Sequence, residues 1–195
     1  MANNFDPIGT RILTNKNITL DGNFDLEKIN YFDLHTKRHY QTLLKSGDLL
    51  FNWRSGSKEH VGKTAYFDLD GEYTHSSFIL RIRPKDDVNG RFLYYFLNWL
   101  RESGYFVRLQ TYAVNAKFNK SAINVLPTAK PSPEEQDDIA GAIDAVIQLE
   151  DVARRKRDAM SDHFRTLLHQ LMTAEIRVHD VDLSELGLET ESNET

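Results

Sequence analysis

Pro131-Ser132-Pro133-Glu134-Glu135-Gln136-Asp137-Asp138-Ile139 announces a helix by several independent rules. Ser132 is a good N-cap and Pro133 suits the first helical position. Glu135, three residues after Ser132, completes a capping box, and its charge favours the positive end of the helix dipole. Beyond this start Ile139, Val146, Ala153, Met160 and Leu167 recur every seven residues, and Ile143, Phe164 and Leu171 stand four places further on. No Gly or Pro interrupts after Gly141, so the spacing predicts one helix to about Met172, a rod of about 60 Å at 1.5 Å per residue. Glu150 and Arg157 take the second seam position in its middle. A single helix of this length has nothing of its own to bury such a stripe against, so the seam demands a partner helix.

Working outward toward the N-terminus, the period shortens. Ile18-Thr19-Leu20-Asp21-Gly22-Asn23 is turn chemistry between short strands, and Gly47-Asp48 reads as a turn before a buried strand Leu49-Leu50-Phe51. Lys63 to Asp68 alternates, and Ser77 to Arg83 forms a further strand that stops at Pro84. Asn89 to Ser103 is helical: Phe92, Leu93, Phe96, Leu97 and Leu100 share a face, and Gly104 ends it. The aromatics Tyr94, Tyr95, Phe96 and Trp99 are read as core packing rather than a base-stacking platform. Val107 to Val114 reads as a strand and Asn115 to Lys120 as a polar basic loop, with Val125-Leu126-Pro127 closing the unit. The expected fold class is α+β: a compact mixed β-rich domain over 1–127, a long coiled-coil helix over 128–173, and an acidic tail over 174–195 that lies on the surface.

Composition narrows the chemistry. The chain has 195 residues, 40% of them apolar, with eleven Phe, eight Tyr and two Trp, enough for a real core. The absence of cysteine excludes disulfides, thiol catalysis and thiolate metal sites. No apolar run approaches the roughly 18 residues of a membrane span, and residues 1–17 lack a signal-peptide pattern, which makes the cytoplasm the expected compartment. The net charge of −5 conceals a gradient. Residues 1–34 carry 3 basic and 5 acidic groups, 35–120 carry 14 and 8, and 121–195 carry 7 and 16. Screening over about 10 Å lets the positive middle section act locally on a polyanion.

No catalytic constellation survives inspection. Gly56-Ser-Lys-Glu-His-Val-Gly62-Lys63-Thr64 resembles a phosphate-binding loop but has five residues between its glycines where the motif has four, and no helix is predicted after Thr64. Of the seven histidines, His35 and His39 alone show helical ligand spacing, without the glutamate of a zinc-protease helix. Asp48, Asp68 and Asp70 read as strand-end turn residues, and Asp25-Leu26-Glu27-Lys28 lacks a second acidic partner. No metal site and no cofactor bound by this chain are expected. What survives is Asn52-Trp53-Arg54-Ser55-Gly56-Ser57-Lys58 after a strand. Asn and Arg can bond base edges in two places at once, Ser and Lys suit phosphates, and Gly permits close approach. The same reading adds Lys63, His75, Ser76, Arg81 and Arg83 to that face, and Asn115, Lys117, Asn119 and Lys120 on another loop.

These pieces, in order, resemble a known family. Leu49 to Arg54 after Gly47-Asp48, then Val61-Gly62-Lys63-Thr64-Ala65, then Asn119-Lys120 through Leu126-Pro127 to Pro133-Glu134-Glu135-Gln136-Asp137-Asp138-Ile139, is similar to a target recognition domain of the specificity subunit of type I restriction-modification systems. Phe164 to Thr173 resembles the end of that family's spacer helix, and the likeness covers roughly residues 10–180. The resemblance implies a non-catalytic DNA reader. Two such domains, held apart by two antiparallel helices, each bind half of a split target in the major groove of double-stranded DNA. Methylation subunits clasp the helices, bind S-adenosylmethionine and flip an adenine, while restriction subunits use ATP and Mg to translocate and cleave. The chain departs from the pattern by carrying one recognition domain and one helix, and by starting within the early strands, without the usual leading segment. This implies a half-subunit that pairs with itself or with another specificity chain, or else a truncated regulatory fragment that binds the methyltransferase without reading DNA. In an antiparallel self-pairing centred between Ala153 and Arg154, Glu150 of one copy faces Arg157 of the other, so the two polar seam residues neutralise each other and fix the register.

Overall fold

The computed structural model describes residues 9–55, 57–112, 126 and 130–178, with side chains omitted at 58 and 110–112. Two compact units divide it at Ala142 and Ile143.

The first unit holds two three-stranded sheets. One has the order β2, β1, β5: β1 (Thr10–Leu13) lies antiparallel to β2 (Asn30–Phe32), with Thr10 opposite Phe32, and parallel to β5 (Tyr73–His75), with Arg11 opposite Tyr73. The other is antiparallel throughout, with β3 (Leu49–Asn52) between β4 (Thr64–Tyr66) and β6 (Ile79–Ile82).

All four residues of β3 are buried, and its period-two geometry explains why. Leu50 turns into a cluster with Leu13, Ile18, Ala65, Phe67, Tyr73 and Ile79. Leu49 and Phe51 turn the other way, into a cluster with Val61, Leu97, Leu100 and Phe106. The strand is apolar in succession because both of its faces are covered, and each such side chain contributes about 1.5–3 kcal/mol by burial. The strand at 49–51, the alternation from Lys63 and the turn at Gly47 all stand where the sequence puts them, as does the turn at Ile18–Asn23: Ile18 bridges Phe24 around a tight loop.

Helix α1 (Lys37–Tyr40) is a single turn capped by the Thr36 hydroxyl. Helix α2 (Gly90–Glu102) is capped by Asn89, whose Oδ1 accepts from the Phe92 amide at 2.9 Å, and it buries Phe92, Leu97 and Leu100. Its aromatic stripe is core only in part: Tyr94 and Phe96 pack on the second cluster, but Trp99 is 59% exposed and merely leans on Phe96.

A larger correction concerns Val107 to Val114. Tyr105–Tyr112 is a helix, α3, not a strand. Gly104, at φ +73°, turns the chain after α2, and Phe106 is fully buried with its ring edge-on to Phe51 at 5.3 Å. The β-propensity of Tyr, Phe and Val is overridden because the helical turn satisfies the backbone while delivering Phe106 to the core.

Helix α4 (Pro133–Met172) has 40 residues and the bounds its sequence predicts. The capping box is formed: Glu135 accepts from the Ser132 amide at 2.8 Å while the Ser132 hydroxyl accepts from the Glu135 amide at 3.3 Å. Within the first unit its opening turn is tied to α2. The buried Gln136 accepts from the Asn89 amide at 2.9 Å and donates to the Pro131 carbonyl at 3.0 Å, and Asp137 accepts from the Asn89 side chain.

In the second unit the seam is open. Val146, Met160 and Phe164 are each about 60% exposed, Glu150, Ala153 and Arg157 are exposed, and Ile143, Leu167 and Leu171 are half-buried. In the first unit's opening turns Ile139 is exposed too. Leu149 and Val152, outside the seven-residue register, are equally bare, so the apolar surface is wider than the seam.

Candidate nucleic-acid interface

The loop that leaves β3 at Asn52 and returns at Lys63 is closed at its neck by Asn52. Its amide donates to the Lys63 carbonyl at 2.8 Å, its carbonyl accepts from Gly62 at 2.8 Å, and its side-chain Nδ2 donates to the His60 carbonyl at 2.7 Å. Asn52 is fully buried, so it fastens the loop rather than meeting a base.

Gly62 explains the look-alike phosphate loop. It sits at φ +90°, and a Cβ there would lie 2.2 Å from the Phe106 ring. The glycine is required by the packing of a helix the sequence did not show, not by a phosphate. Lys63 is equally internal: its ammonium donates to the carbonyls of Asn15 and Ile18. Burial, with Arg101 nearby, pushes its pKa below the usual lysine value.

Several other expected contacts are also committed to the fold. Ser76 is buried, and burial pushes the pKa of His75 below its ordinary value, an effect that Arg81 reinforces and the Ser76 carbonyl opposes. Arg81 donates to the carbonyls of Gln41 and Leu43 at 2.8 and 2.9 Å, holding the segment after α1. Arg83 forks onto Asp48 at 2.6 and 2.7 Å, and the other end of that carboxylate's task is the Lys45 amide. Asp48 is therefore a buried anchor rather than a simple turn residue.

What remains outward is the tip. Arg54 and Ser57 are exposed, and Ser55 is half-buried, its hydroxyl accepting from the Ser57 amide at 3.3 Å. Arg54 lies with its guanidinium carbon 3.8 Å from the centroid of the Trp53 ring. Lys58 opens a 3₁₀ turn, Lys58–His60, in the same loop. The expected contacts Asn115, Lys117, Asn119 and Lys120 lie outside the described residues. Lys37, Arg38 and Tyr40 are exposed on α1, a basic turn that stands openly in the sequence as Lys-Arg-His-Tyr but was not among the expected contacts. Among the described residues no group of three or more His, Cys, Asp or Glu side chains is placed to hold a metal ion. No helix among them is long and apolar enough to cross a membrane.

The described residues form a mixed α/β domain with a clasped, cation-bearing loop, followed by a capped 40-residue helix. The chain belongs to the type I restriction modification DNA specificity domain family, whose model matches residues 4–159. That family is the non-catalytic specificity component, and this chain carries one target recognition domain. The fold is similar to a solved structure described as the structural basis of complex assembly and conformational transition of the type I R-M system, with TM-score 0.56 and 19% identity over 84% of this chain. It is likewise similar to the HsdS subunit from Thermoanaerobacter tengcongensis, with TM-score 0.56 and 20% identity over 78% of this chain. The chain spans 37% and 33% of the length of those two proteins. No curated protein sequence matches it.

Proposed function

We propose that this chain reads one half of a bipartite site in double-stranded DNA and docks the methylation subunit of a type I restriction-modification complex. The observation that carries the reading is the division of labour in the 53–61 loop within a member of a DNA specificity family: Asn52 and Gly62 secure the neck, and Arg54 and Ser57 are left facing solvent. Base and phosphate contact is assigned to Arg54, Ser55, Ser57 and Lys58, with Asn115, Lys117, Asn119 and Lys120 as a second set. The organisation proposed is a recognition domain over 1–127, a spacer and dimerisation helix over 128–173, and a tail over 174–195.

The exposed seam of α4 supports association with a second helix, because a stripe of this size on a rod is an unfinished interface. The partner is a second copy or another specificity chain, antiparallel, with Glu150 against Arg157. S-adenosylmethionine, ATP and Mg belong to the methylation and restriction subunits, and the site of action is the cytoplasm.

Gel-shift titration against randomised duplexes, with the methylation subunit present, tests the reading. Salt-sensitive binding with preference for a split site is expected, since phosphate contacts release counterions. Capture of the methylation subunit with no preference among duplexes at any salt would replace it with a regulatory fragment that binds its partner without reading DNA.

A further inference from the structure

Among the described residues three arginines lie over aromatic rings, and they differ in what their N–H groups do. Arg11, 5.3 Å from the Tyr73 centroid, donates to the Tyr73 hydroxyl. Arg91, 4.5 Å from Tyr66, is paired with Asp68. Arg54 has the closest stack, 3.8 Å, yet among the described residues it has no hydrogen bond or ion pair. Its flat face is covered and its fork of donors is open.

The ring beneath it is fixed. The Trp53 indole N–H donates to the Ser77 carbonyl at 2.9 Å and the Trp53 amide donates to the Phe78 carbonyl at 3.3 Å. The indole is half-buried against the second core cluster. A long side chain that would otherwise sample many rotamers is thereby restricted before any ligand arrives, and a stacked guanidinium keeps its in-plane N–H groups available.

We propose that Trp53 is a positioning residue that orients Arg54 to read one guanine, its two parallel N–H groups bonding O6 and N7 in the major groove. Guanine offers two acceptors side by side at the spacing of the guanidinium fork, and a lone phosphate contact would not need a prearranged plane. This deepens the proposed DNA-reading role and rests on it.

The test uses the full chain with the methylation subunit and a duplex library with a randomised stretch, comparing wild type with Arg54→Lys, Trp53→Leu and Trp53→Phe. Wild type is expected to select a G·C pair at one position. Arg54→Lys and Trp53→Leu should each lose about tenfold to a hundredfold discrimination at that position and keep their preference elsewhere. The salt dependence of the Trp53→Leu variant should be unchanged, and Trp53→Phe, which keeps a ring face, should recover most of the loss.

If Trp53→Leu does not fold, emission decides: the chain has two Trp, so in a Trp99→Phe background Trp53 reports alone. Its emission should change with the selected duplex and not with one lacking the G·C pair. Wild type without any preference overturns the DNA-reading role and this assignment together. Preference that survives both Arg54→Lys and Trp53→Leu, an indifferent Trp53 emission, or weakening by one factor on every sequence with a salt slope smaller by about one phosphate, overturns this assignment alone.

Discussion

The two ends of this chain bury apolar residues in opposite ways. In the first unit β3 is covered on both faces and leaves Leu49, Leu50 and Phe51 with no exposed surface. In the second, Val146, Met160 and Phe164 remain largely bare along a helix of good local sequence. The contrast separates two sources of order. The head is held by long-range contacts, so its stability is a property of one chain. The rod is held locally by its capping box and by near-neighbour ion pairs such as Arg154 with Asp151 and Arg165 with Asp162. Such exposed pairs contribute at most a few tenths of a kcal/mol each. Completion of the rod's apolar surface is therefore a matter of association and of concentration.

The sharpest way to break the comparison is at Gly62. Gly62→Ala combines a φ of +90° with a Cβ 2.2 Å from Phe106, so it should cost the head about 3 kcal/mol or more in urea denaturation. Helicity from α4 should persist in circular dichroism after the head has lost its cooperative transition. A single transition common to both units would show that the rod depends on the head.

A smaller effect is expected in the rod. Glu150→Arg should raise the dissociation constant of the helix pair about tenfold by sedimentation, and adding Arg157→Glu should restore it. Chemical denaturation of the head should not move in either variant. Identical association of wild type, single and double variants would reject the Glu150 to Arg157 register.

The smallest effect concerns acid. Burial holds His75 neutral in the fold below its ordinary 6.5, whereas the unfolded chain takes up the proton at that value. The stability tied to His75 is present above pH 6.5 and is lost as the pH falls from there through the depressed folded value. His75→Asn should flatten the decline of the head's melting temperature below pH 6.5 and leave the helix pairing untouched. An unchanged slope would mean that other groups govern the acid limb.

Legibility followed the range of the interactions. The start and end of α4 were readable because a capping box and a seven-residue repeat act within a few residues of one another. Leu49 to Phe51 was readable because a strand covered on both faces has to be continuously apolar. The helix at Tyr105–Tyr112 was not, since its conformation is decided by the pocket Phe106 fills. The candidate interface divided the same way: Arg54, Ser55 and Ser57 were legible as polar groups on a loop, but nothing local distinguishes them from Asn52, Lys63 and Ser76, which the fold draws inside.

By itself the sequence determined that a capped, seamed helix of some 40 residues follows a β-rich head, because caps and periodicity are short-range physics. The tertiary structure alone decided which cations stay free. A lysine becomes a buried clasp or an open contact according to what folds over it from 45 residues away, as Ile18 does for Lys63.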